Sequence, residues 1–65
     1  MTKKQLIAII TAMEDSSRFL ANSEEVSETV RRLEKGQASA FATVISMLEN
    51  PKYAREIAKI YNVEI

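Results

Sequence analysis

At 65 residues with neither cysteine nor histidine, the chain has no means of forming disulfides or a thiolate zinc site, and it lacks two of the side chains most used for chemistry near neutral pH. Nine basic and nine acidic residues cancel to a formal net charge of zero, so no long-range field steers the whole molecule toward nucleic acid or anionic lipid. A domain this small buries only about 60% of the surface of its unfolded chain, and unstapled small domains commonly gain further burial by association.

One Gly and one Pro supply little of the turn chemistry that an all-β fold needs. The expected fold is all-α, a single domain over residues 1–65 with helices at about 3–21, 24–49 and 51–61. The first helix opens on Thr2-Lys3-Lys4-Gln5, which fits the reciprocal capping box of Ser/Thr followed three positions later by Glu/Gln. The apolar stretch Leu6–Ile10 behind Lys3 and Lys4 is too short for a signal peptide and runs into Thr11, Glu14 and Asp15. Leu6, Ile10, Met13, Ser17 and Leu20 recur at spacings of four and three, with Ile9 and Ala21 beside them, as a helix with one apolar face requires. Phe19 lies off that face. It either folds back over the Asn22-Ser23 turn or, with Ile7 and Ala12, seeds a partner-binding patch, since aromatic side chains are enriched among interface hot spots.

Asn22-Ser23 supplies a break and an N-cap, after which Glu24 and Glu25 complement the positive end of the next helix. Together with Glu14, Asp15 and Glu28 they make this corner acidic, but the alternating oxygen ligands and central Gly of a calcium loop are missing, and no metal is expected. In the second helix Val26, Val30, Leu33, Gln37, Phe41, Val44 and Leu48 keep one phase. That continuity predicts one helix from Glu24 to Glu49, although Glu34-Lys35-Gly36 also resembles a helix end with glycine in the left-handed conformation.

Gly36 to Leu48 is a run of thirteen residues without a charge, in a chain where 28% of residues are charged. A helix uncharged all round is normally covered on most sides. Gly36 and Ala40, Ala38 and Ala42, and Ser39 and Thr43 stand four apart, and stacked small side chains let another helix come close. The neighbour is either helix 1 of the same chain or a second copy. Gln37 sits in the middle of the apolar seam; it pairs with its symmetry mate across a two-fold axis, or reaches water where Gly36 bends the helix. The expected oligomer interface is Gly36, Gln37, Ala40, Phe41, Val44 and Met47.

Asn50-Pro51 ends helix 2 and starts helix 3, with Asn as N-cap and Pro in the first turn. Tyr53, Ile57, Ile60 and Tyr61 form its apolar side, Asn62 stops it, and Lys52, Arg55 and Lys59 form a basic stripe, with a Lys52–Glu56 pair expected to support the helix. Tyr53–Val63 resembles the first helix and turn of a helix-turn-helix DNA-binding unit over eleven residues; such a unit needs a second helix to enter the major groove. Lys52, Arg55 and Lys59, with Phe19, are the candidate partner-binding residues.

No nucleophile elbow or phosphate-binding glycine loop occurs, and Glu14 and Asp15 lie on the hydrophilic side of their helix. The chain is therefore expected to be no enzyme and to carry no cofactor. The expected architecture is an antiparallel helical hairpin with a short third helix across its end, doubled into a homodimeric bundle. Its expected core is Leu6, Ile9, Ile10, Met13, Leu20, Val26, Val30, Leu33, Phe41, Val44, Ile45, Leu48, Ile57, Ile60 and Tyr61. The expected role is a cytoplasmic, non-enzymatic interaction module, an adaptor or inhibitor of a larger protein in the manner of compact phage or mobile-element proteins. A small dimeric DNA-binding regulator is the alternative, and no membrane partner is expected.

Overall fold

The computed structural model describes residues 1–64, which form three helices: α1 (Lys3–Ala21), α2 (Glu28–Glu49) and α3 (Pro51–Ile60). Each begins where local chemistry satisfies its free N–H groups. Thr2 Oγ1 accepts from the Gln5 N–H at 3.1 Å while Gln5 Oε1 accepts from the Thr2 N–H at 2.8 Å, completing the capping box. Asn50 is at once the last cap of α2 and the first cap of α3, its Oδ1 accepting from the N–H groups of Lys52 and Tyr53. At the far end of α3, Asn62 adopts the left-handed conformation (φ 57°), and the Val63 N–H reaches back to the Ala58 carbonyl at 2.8 Å. With the Asn62 N–H on the Lys59 carbonyl, this is a Schellman closure in which Asn takes the usual place of glycine.

α2 starts four residues later than the sequence pattern places it. Ser27, not Ser23, is its cap, with Oγ accepting from the Val30 N–H at 3.2 Å. Residues 22–27 instead form a turn in which Ser23 Oγ accepts from the Glu25 N–H and the Arg31 guanidinium donates to the Ser23 carbonyl. At Gly36 the helix is unbroken, and its φ is not positive. A methyl group at Gly36 would meet nothing within 4 Å, so Gly36→Ala is expected to stabilise the fold by about 1 kcal/mol and raise Tm by about 4–8 °C. A calorimetric scan checks this; a lowered Tm would mean that another chain's backbone packs there.

α1 and α2 lie side by side as an antiparallel hairpin, whereas α3 touches α2 and not α1. The expected packing of the third helix across the end of both is thus corrected to attachment on α2 alone. Among the described residues only Ser17 and Ala38 are buried, and both are small. Two helices by themselves meet along a single line, and small side chains there permit the closest approach. Ile10, Glu14 and Ala21 flank the line on α1, and Arg31, Glu34, Ala42 and Ile45 flank it on α2, all half-buried.

The expected core therefore does not close. Leu6, Ile9, Met13, Val30, Leu33, Ile60 and Tyr61 are exposed, with Leu33 at 61% and Tyr61 at 73%. The seam Val30–Leu33–Gln37–Phe41–Val44 lies roughly 100° around α2 from Ala38, by helical phase. It opens to one side of the hairpin.

Candidate functional site: an uncovered apolar face

Ile9, Ala12, Met13, Ser16 and Leu20 of α1 and Gln37 and Phe41 of α2 line a shallow groove whose floor is Ser17, with Glu34 the one charged residue lining it. Helical phase adds Leu33 and Val44 to the α2 bank. Ile9 and Met13 are each 47% exposed, so their apolar surface faces outward. On the opposite side of the hairpin Arg18, Ala21, Asn22, Lys35 and Ala38 surround a smaller hollow. There Arg18 Nε donates to Glu14 Oε2 at 2.8 Å. The hairpin thus has a charged side and a nearly uncharged one.

The six expected interface residues divide between two places. Gln37 and Phe41 line the groove, and Val44 continues their row. Gly36, Ala40 and Met47 lie farther round, on the side of α2 turned away from α1; Gly36 and Ala40 are exposed and Met47 is half-buried. Gln37 is exposed within an unbroken helix, so its amide reaches water without the helix ending at Gly36. Ile9 and Met13, expected in the core, line the groove on α1 beside Ser16, and Leu33, also expected in the core, is exposed on the α2 bank. Leu33 stands one turn from Gln37 in the same seam, a spacing that could have added it to the expected interface.

Phe19 does not fold back over the turn. It is 75% exposed and stands beside Asp15, Arg18, Asn22, Ser23, Glu24 and Glu25 in an acidic corner at the turn end of the hairpin. Lys52, Arg55 and Lys59 are all exposed on α3, at the other end. The expected Lys52–Glu56 pair does not form; the ion pairs among the described residues are Arg18–Glu14 and Arg32–Glu28. Among the described residues α3 is followed by the Asn62 turn, Val63 and Glu64. No group of three acidic side chains is placed to hold a metal ion, and no helix is long and apolar enough to cross a membrane, among the described residues.

No protein-family model matches the sequence, and no curated protein or solved structure is significantly similar to it.

Proposed function

We propose that this protein is a non-enzymatic helical interaction module that binds a larger protein and modulates it, as an adaptor or inhibitor of the kind phages and mobile elements direct at host machinery. The observation that carries the proposal is the uncovered face of the hairpin. A layer of helices with an apolar side needs a second layer to bury it, and this chain leaves Ile9, Met13 and Leu33 without one. Exposed Phe19 at the turn end offers a separate aromatic anchor of the type found at interface hot spots. The absence of His and Cys from the sequence fits a protein that acts by covering surfaces.

The test is capture from lysate of the source cells on immobilised protein, with and without nuclease, at low and high salt. A protein retained after nuclease and high salt, and lost on Phe19→Ala or Ile9→Asp, is the expected result. Recovery that vanishes with nuclease or falls steeply with salt would overturn it and move the function to nucleic acid and to Lys52, Arg55 and Lys59.

A further inference from the structure

We propose that a second copy of this chain closes the uncovered α1–α2 face, packed antiparallel about a two-fold axis that passes beside Gln37. The proposal rests on the interaction function above and assigns its apolar face to a second copy, which leaves exposed Phe19 at the turn end as the anchor for a larger protein.

The area argument comes first. A compact monomer of 7.3 kDa exposes about 4,200 Å² by the usual size scaling. This chain exposes 5267 Å², an excess of about 1,100 Å² over that scaling, against about 800 Å² buried per partner in a standard interface. Its radius of gyration, 14.0 Å, likewise exceeds the roughly 11 Å of a compact domain of this length. The surplus, to which α3 standing off α1 contributes along with the open face, is of the size that one partner face removes.

The residues of the face then select a copy of the same chain as that partner. Around Gln37 the seam is symmetric, with Leu33 and Phe41 four residues away on either side and Val30 and Val44 seven away. A two-fold axis perpendicular to α2 at Gln37 sets Leu33 of one copy against Phe41 of the other, and Val30 against Val44, so that each of these four apolar side chains meets another. At the axis Gln37 meets its own mate. An amide carries both donors and acceptors and satisfies its twin, which a side chain of single charge cannot do.

Charge then fixes the direction. Residues 14–35, at the turn end, hold six acidic and four basic side chains, whereas residues 1–13 and 36–65 together hold three acidic and five basic. A parallel pair sets acidic end on acidic end. The antiparallel pair brings the Asp15–Glu24–Glu25 corner of one copy to the end where the other carries Lys3, Lys4 and its basic α3, and complementary potentials set orientation in this way.

The experiment has two parts. Sedimentation equilibrium of the purified wild-type protein is expected to give twice the chain mass of 7.3 kDa; a monomer overturns the proposal while leaving the face free for a different protein, which the capture experiment decides independently. Because the chain has no cysteine, single-cysteine variants report the register by oxidation. Gln37→Cys is expected to cross-link with itself, and Leu33→Cys to cross-link with Phe41→Cys in a mixture but not with itself, its mate lying about 12 Å away along the helix, beyond disulfide reach. Leu33→Cys cross-linking with itself in preference to Phe41→Cys would overturn the antiparallel arrangement.

Discussion

Leu33→Glu is expected to lower stability by about 3 kcal/mol or more per chain, enough to unfold a domain of this size or leave it only partly folded. Leu and Glu differ little in helix propensity, so the substitution tests burial rather than helix formation. In an isolated chain Leu33 is 61% exposed, and a surface change there alters stability by no more than about 0.5 kcal/mol. The two outcomes are therefore well separated. Beneath a second copy, each carboxylate introduced at position 33 is buried against Phe41 of the other copy with no base beside it, and an unpaired buried charge costs several kcal/mol. Urea unfolding of wild type and variant at several protein concentrations checks this. A wild-type midpoint that rises with concentration, and a variant midpoint that has fallen and no longer does so, is the expected pattern.

Ala38→Leu is expected to cost about 1–3 kcal/mol by overpacking. Ala38 is only 2% exposed and, with Ser17, is one of the two buried residues among the described ones, on the helices that pack as the hairpin. Ala38 borders the hollow it shares with Arg18, Ala21, Asn22 and Lys35, but a leucine side chain aimed at α1 pushes the helices apart along the one line where the hairpin is closed. Ser39→Leu, one residue on and exposed, serves as the control, with an expected change within about 0.5 kcal/mol. Thermal unfolding of the pair checks the assignment. Equal stability of the two variants would mean that the small-residue contact is not what holds the hairpin together.

Local chemistry was the part of the fold most legible in the sequence. Thr2 to Gln5 and Asn50-Pro51 each carry their own hydrogen-bonding geometry, and α1 and α3 start where those residues put them. The start of α2 was not legible, because Ser23 and Ser27 stand one helical turn apart and either can cap. Glu24 and Glu25 made Ser23 look the better choice; the structure uses Ser27, and Arg31 ties down the turn through the Ser23 carbonyl. The α1 face was found with its centre at Ser17, since periodicity reports direction directly. On α2 the same spacing marks the apolar seam, while the buried Ala38 was legible only as part of a small-residue stripe open either to helix 1 or to a second copy. A seam and a contact line coincide only when all partners are present. In a hairpin the larger apolar side chains point past the neighbour, and nothing in a pattern of spacings says which of two neighbours a face is for.

The candidate site was legible in the same partial way. Gln37, Phe41 and Val44 were placed at an interface from their position in an uncharged run, and they stand on the groove or its bank. Gly36, Ala40 and Met47 belong to the same run, but a run of sequence winds around a helix and does not mark one side of it. Leu33 was assigned to the core because it fits the α2 seam, and its exposure became evident only from the packing.

Asn50 caps both α2 and α3, so no spacer separates the two helices, and α3 has no contact with α1 to brace it. Its direction is set by the two backbone torsions of Asn50, φ −134° and ψ 94°, and by its contacts with α2. A rotation of about 30° at that joint carries the far end of a ten-residue helix, about 15 Å long, through roughly 8 Å. Lys52, Arg55 and Lys59 are therefore carried clear of α1, and any turn of α3 at Asn50 trades only its contacts with α2.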